Sequence, residues 1–170
     1  FLISGGGSNL LKILKNNSIN RDFEVVAIIS NSKISTKIKS YVNKFYKNVL
    51  VMEFKTKLQK KNFFDTNTIF SVGYMKVIEK SIIENFDVIN LHPSILPAYK
   101  GLMTQKRMLI NNEKNYGFTL HKVSNALDEG ETISNKIRKI NTKDESELLY
   151  KHKNIEHKFV YKQFVDYLLS

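Results

Sequence analysis

The stretch FLISGGGSNLLKIL, residues 1–14, decides how the chain is read. Residues 1–4 are a short apolar run of strand character. Three glycines follow, and then Leu10, Leu11, Ile13 and Leu14 recur at helical spacing over residues 9–16. A strand that turns through glycines into a helix is the opening unit of an α/β fold. The rhythm continues downstream. Residues 24–30 (EVVAIIS) are a β-branched run that suits a buried strand. Over residues 35–46, Ile38, Tyr41, Val42 and Phe45 share one helical face. Strands expected at 48–52, 67–71 and 87–91 alternate with helices at about 55–64 and 77–85.

After residue 91 the pattern changes. Residues 92–101 hold both prolines of the chain, Pro93 and Pro97. A helix is expected at about 103–111, and alternating strands at 117–123 and 132–139, joined by a polar loop. Residues 144–169 read as one long helix that starts near Asp144 or Thr142, with Leu148, Leu149, Ile155, Phe159, Val160, Phe164 and Tyr167 as candidate packing residues. Nothing in the composition divides the 170 residues, so the expectation is a single Rossmann-like α/β domain. Its central sheet is mostly parallel, with helices on both faces and a long C-terminal helix.

Composition narrows the function. The absence of cysteine excludes a disulfide framework, a thiolate nucleophile and a cysteine metal site. No apolar run reaches the ~18–20 residues of a membrane span, and residues 1–4 read as a strand rather than a secretion signal. A cytoplasmic protein is expected, with a few residues preceding Phe1. Lys and Arg total 27 against 16 Asp and Glu, a formal charge of +11, yet only Arg21, Arg107 and Arg138 are arginines. Nucleic-acid readers lean on arginine for its bidentate fork. The lysine excess suits a solvated surface and phosphorylated small molecules, so neither nucleic acid nor membrane is the expected partner.

Three constellations carry chemistry. The first is Ser4-Gly5-Gly6-Gly7-Ser8-Asn9. Its glycines admit a ligand close to the backbone, the helix start offers unpaired N–H groups to an anion, and Ser8 and Asn9 are candidate caps. No Gly-Lys-Ser/Thr follows, and Glu24 stands at the start of its strand rather than the end. A single phosphate therefore fits better than a dinucleotide. The second is Asn90-Leu91-His92-Pro93. Asn90 and His92 are two apart at a strand's carboxyl end, where an amide beside an imidazole can hold a developing oxyanion. The third is Leu127-Asp128-Glu129-Gly130, preceded by a strand that carries Thr119 and His121. Read alone, Asp128 is a turn residue and His121 a packed histidine.

Together, SGGGSNLLKI (residues 4–13), FSVGYMKVI (70–78), INLHPSILPAYKG (89–101) and GFTLHKVSNALDEGETI (117–133) resemble the folate-dependent formyltransferase family across nearly the whole chain. The SGGGSNL turn resembles the branch that acts on glycinamide ribonucleotide in purine biosynthesis. The resemblance implies formyl transfer from 10-formyltetrahydrofolate as co-substrate, with no metal. It assigns Asn90, His92 and Asp128 to catalysis, with Thr119 and His121 supporting them. It assigns Gly6, Gly7, Ser8 and Asn9 to the substrate phosphate, and Lys153 and Glu156 to the ribonucleotide. It assigns Gly73, Tyr74, Met75, Val77 and Ile78, with Asn125 and Leu127, to the folate. The N-terminal half is then phosphate-binding and the C-terminal half catalytic and folate-binding, in a monomer or homodimer. Met103 and Gln105 stand where many members carry histidine. Alternatives are transfer to an amino-sugar nucleotide or another amine, or a non-catalytic phosphate- or nucleic-acid-binding relative.

Overall fold

The computed structural model describes residues 1–54, 58 and 66–170, so the helix expected at about 55–64 lies, apart from Leu58, outside the described residues. The chain divides into two compact units, Phe1–Ile89 and Asn90–Ser170.

The first unit runs β1 (Leu2–Ile3), α1 (Ser8–Asn20), β2 (Ala27–Ser30), α2 (Thr36–Phe45), β3 (Leu50–Glu53), β4 (Thr68–Ser71) and α3 (Lys80–Ile83), and ends in the first half of β5 (Asp87–His92). The strand order is β3-β2-β1-β4. β1 pairs in parallel with both β2 and β4, and β2 pairs in parallel with β3. The β-branched runs bury both faces: Ile28, Ile29, Ile69 and Phe70 are all buried, as are Leu10, Ile13 and Leu14 of α1 and Ile38 and Val42 of α2. Burial of such side chains contributes about 1.5–3 kcal/mol each.

The second unit holds the rest of β5, α4 (Thr104–Ile110), β6 (Asn115–Lys122), β7 (Thr132–Lys139) and α5 (Glu145–Leu168). β6 and β7 are antiparallel, with Tyr116 opposite Arg138 and an irregularity between Leu120 and His121. α5 opens on Asp144, whose side chain accepts the Glu147 N–H at 2.7 Å, a side-chain cap on the first turn. It buries Leu148, Ile155, Val160 and Phe164. The Leu96–Pro97 peptide is cis. Among the described residues, no helix is long and apolar enough to cross a membrane.

The departures from expectation are local. α1 runs to Asn20 because Asn17 closes its end: the Asn17 amide donates to Phe23 O and accepts the Phe23 N–H, and Arg21 takes a left-handed φ of 58°. Its N-cap is Gly7, with no side-chain capping bond, so Ser8 and Asn9 are not the caps. Helix structure expected over 77–85 shrinks to Lys80–Ile83. Glu79 before it is extended, and Val77 lies exposed, off any packed helical face.

Candidate active site

The second unit brings four of the expected residues into one hydrogen-bonded cluster. Asn90 and His92 come from the end of β5, His121 from the end of β6, and Asp128 from the loop after it. His92 is buried, and its Nε2 lies 2.9 Å from the Tyr99 carbonyl oxygen. A carbonyl only accepts, so Nε2 carries the proton and Nδ1 is the edge turned to Asp128, whose Oδ2 is 3.3 Å away. The same Oδ2 accepts the Gly101 N–H at 2.8 Å. Asp128 itself takes a left-handed φ of 51°.

His121 joins the other side of the cluster. Its Nδ1 donates to Lys122 O at 2.8 Å, and its ring is 1 % exposed. Burial pushes its pKa down, ahead of the opposing pull of the Lys122 carbonyl and the Asp128 charge. The ring is therefore neutral, and its Nε2 accepts from the Asn90 amide nitrogen at 3.1 Å. That contact decides which end of the Asn90 carboxamide is nitrogen. One N–H of the amide is spent on His121, and the amide carries a second. Asp128 Oδ1 lies 3.7 Å from the same Nε2.

Thr119 acts one layer away. Its hydroxyl donates to Ser94 O at 2.8 Å and accepts the Leu96 N–H at 3.1 Å, tying the segment after His92 to β6. A cavity of about 300 Å³ opens beside Asp128, lined by Leu96, Pro97, Lys100, Glu129, Gly130 and Thr132. The loop residues Asn125 and Leu127 are exposed. Gly130 packs against the Lys122 carbonyl that anchors His121, with no room for a Cβ. Met103 is exposed with a left-handed φ of 57°, and Gln105 is buried, where its side-chain oxygen accepts from Thr104 Oγ1. Lys153 and Glu156 lie on α5, apart from this hydrogen-bonded cluster: Lys153 is exposed, but Glu156 is 2 % exposed and paired to Lys153 at 2.7 Å.

In the first unit, the glycine turn is tied down from several sides. The Ser4 N–H donates to Gly73 O, the Gly5 N–H to Ser32 Oγ at 2.6 Å, and the Ser35 hydroxyl to Gly6 O at 3.4 Å. Because Gly5 is spent on Ser32, the amides available at the head of α1 begin at Gly6. Gly7 takes a left-handed φ of 61°, which favours glycine, and a Cβ there would sit 2.5 Å from Ile38 Cδ1, so the end of that side chain would have to shift. Ser8 is exposed and Asn9 buried. In the segment after β4, Gly73, Met75 and Val77 are exposed and Ile78 is buried. Met75 N–H donates to Ser4 Oγ at 2.9 Å. Tyr74 is pushed up to about 12, chiefly by burial and then by Glu79. Among the described residues, no group of three or more His, Asp or Glu side chains is arranged to hold a metal ion.

Reading the sequence did not find Tyr99 and Gly101, whose backbone groups hold His92 and Asp128. Nor did it find His152, although its i,i+4 spacing to Glu156 on a helix was a usable signal.

The model of the Formyl transferase family matches residues 1–164. The chain belongs to the formyl transferase family. It is 32 % identical over 125 residues to the bifunctional polymyxin resistance protein ArnA of Wigglesworthia glossinidia brevipalpis, covering 72 % of this chain and 18 % of that protein. It is 33 % identical over 63 residues to phosphoribosylglycinamide formyltransferase of Escherichia coli, covering 36 % of this chain and 30 % of that one. The matched regions thus span less than a third of the length of these two relatives. Among solved structures, phosphoribosylglycinamide formyltransferase of Campylobacter jejuni aligns over 98 % of this chain and 95 % of its own, at TM-score 0.79 and 26 % identity. The Bacillus halodurans enzyme of the same name shares the fold at TM-score 0.83 and 21 % identity, over 98 % and 93 %. The fold is thus the mostly parallel α/β formyltransferase fold with its long C-terminal helix.

Proposed function

We propose that this protein transfers the formyl group of 10-formyltetrahydrofolate to the amine of glycinamide ribonucleotide. The observation that carries the reading is the Asn90–His121–Asp128–His92 cluster. The folate supplies an activated formyl carbon, and its exposed contacts would be the backbone of residues 73–77 and the loop that carries Asn125 and Leu127, with Ile78 packed beneath the first of these.

The chain's own groups then do three things. Asn90, its amide turned by neutral His121, donates its second N–H to the oxyanion that forms when the amine adds. His92 holds its Nε2 proton on Tyr99 O and turns Nδ1 to Asp128; when Nδ1 also holds a proton, the ring adds positive charge beside the developing oxyanion. Asp128 is held by the Gly101 N–H and accepts, directly or through a water, the proton that the attacking nitrogen loses, and this proton passes to the folate nitrogen as its bond to the formyl carbon breaks and the oxyanion re-forms the carbonyl. The head of α1 from Gly6 to Asn9 offers main-chain N–H groups to the substrate phosphate, and Lys153 and Glu156 of α5 are the residues proposed for the ribonucleotide.

Formyl transfer to glycinamide ribonucleotide, followed by the absorbance of the released folate, tests this. Transfer by the native chain and its loss in Asn90→Ala and His92→Ala are expected. Folate release without a formylated product would replace transfer by hydrolysis. A second reading keeps the chemistry and changes the acceptor to an amino-sugar nucleotide. The match to a polymyxin resistance protein over 72 % of the chain favours testing it, and Met103 and Gln105 are the first positions to vary.

A further inference from the structure

The peptide groups that hold His92 and Asp128 belong to a short loop that does not keep its shape by local preference. Tyr99, Gly101 and Met103 take φ of 57°, 78° and 57°. Left-handed angles are unfavourable for tyrosine and methionine, so contacts from outside the loop must hold it. On one side, buried Ser94 donates its hydroxyl to Ala98 O at 2.7 Å. On another stands Arg107 of α4, a helix seated by buried Thr104 and Met108. Arg107 Nη1 donates to Lys100 O at 2.6 Å and to Leu102 O at 3.3 Å. Its guanidinium carbon lies 5.3 Å from the centre of the Tyr99 ring. That ring is itself fixed: the Tyr99 hydroxyl donates to Glu113 Oε1 at 2.8 Å and accepts from the Asn111 amide at 3.1 Å.

We propose that Arg107 is a positioning residue that, through the Lys100–Gly101 peptide, aims the Asp128 carboxylate. Lys100 O and the Gly101 N–H are the two ends of one peptide plane. Arg107 holds the oxygen end, and the nitrogen end donates to Asp128 Oδ2 at 2.8 Å. Because the unit is planar and rigid, a cation that fixes one end fixes the other. A positive charge on the carbonyl also polarises the N–H and strengthens its bond to the carboxylate. Residue 100 is tied a second time, since the Lys100 ammonium meets Glu129, the residue after Asp128, at 2.7 Å. Only arginine offers a plane that stacks on Tyr99 while its edge donates to carbonyls. The role in turnover rests on the reading of Asp128 as proton acceptor in formyl transfer; the hold on Gly101 does not.

The test compares Arg107→Ala and Arg107→Lys with the native chain, in formyl transfer to glycinamide ribonucleotide and in nitrogen-15 correlation spectra. Arg107 is exposed, so its truncation opens no hole in the core. In Arg107→Ala, kcat is expected to fall about tenfold, the scale of one charge-assisted hydrogen bond, with both KM values within about twofold. The Gly101 amide proton should move upfield and lose protection from exchange, while the amides of β6 and β7 keep theirs. Arg107→Lys keeps the charge without the stacked plane, and should lose about threefold in kcat with a smaller shift at Gly101. In an Asp128→Ala chain, adding Arg107→Ala should lower kcat by less than about twofold. Native kcat or an unmoved Gly101 amide in Arg107→Ala overturns the inference, as does a tenfold loss that persists without Asp128. A raised KM with kcat intact would make Arg107 a substrate contact and overturn it too. Should Arg107→Ala not fold, native values for both kcat and the Gly101 amide in Arg107→Lys overturn it. If the native chain transfers no formyl group to this amine, the functional reading fails and the role in turnover falls with it. The Gly101 amide then still decides whether Arg107 holds the peptide.

Discussion

The glycine turn at the head of α1 and the cluster around Asp128 are built on opposite principles. The turn is main chain throughout: Gly5 and Gly7 take positive φ, and neighbouring serines hold its peptide groups. The cluster presents side chains, four polar groups from two strands and a loop, oriented by one another and by main-chain groups of residues 99, 101 and 122. A main-chain site is robust to most substitutions and sensitive to those that forbid its backbone angles. A side-chain site is sensitive to single atoms. Each half of the comparison can be broken separately.

The largest effect is expected at Asp128. Asp128→Asn keeps an oxygen for the Gly101 N–H but removes the charge and the proton acceptor. Turnover should fall roughly 10²–10⁴-fold with the melting temperature nearly unchanged, and near-native turnover would remove Asp128 from the mechanism. Next comes Gly7→Ala, which forces a Cβ onto Ile38 Cδ1 at a left-handed angle. Chemical denaturation should show a loss of about 2–3 kcal/mol, and a loss near zero would mean that the head of α1 is softer than its packing indicates.

His121→Phe sharpens the contrast at a single atom. It keeps a ring and removes the acceptor that orients Asn90, so kcat should drop about tenfold while substrate affinities hold. Added to Asn90→Ala it should cost nothing more. The same variant has a pH signature. Burial depresses the His121 pKa in the folded chain, so the unfolded chain binds the proton first as pH falls below about 6.5. Stability should therefore decline from there downward, with part of that decline missing in His121→Phe. For Glu156 the depressed carboxyl contributes stability above pH 4.5, lost as pH falls toward about 2, and Glu156→Gln should flatten that arm. The smallest effect is Gly6→Ala. A Cβ there meets nothing within 4 Å, so stability should stay within about 0.5 kcal/mol while affinity for the phosphorylated substrate falls severalfold; unchanged affinity would move the phosphate elsewhere.

The two sites also differ in how far they could be read from the chain. The turn is local: six consecutive residues between an apolar run and a helical pattern point to an anion-binding helix start. Asn90 and His92 were legible for the same reason, being two apart on one strand. His121 and Asp128 read alone as a packed histidine and a turn residue. Only the family resemblance joined them to Asn90, because their neighbours come from strand pairing more than thirty residues away. The helix expected over 77–85 is shorter in the fold because Val77, apolar in the sequence, lies exposed and Glu79 is extended. Glu156 entered only through the resemblance, as a ribonucleotide contact, and its burial against His152 comes from the packing of α5 rather than from its spacing to Lys153.

The loop of residues 99–101 has a consequence for how this protein can vary. Two peptide groups, the Tyr99 carbonyl and the Gly101 N–H, hold the histidine and the aspartate at the centre of the cluster, with only Lys100 between them. Neither group belongs to a side chain, so a scan that truncates side chains one at a time would pass over both anchors. What drift must preserve there is a pair of left-handed backbone angles, 57° at Tyr99 and 78° at Gly101, rather than a set of letters. Replacing the Gly101 peptide N–H by an ester oxygen would delete one anchor and leave every side chain in place.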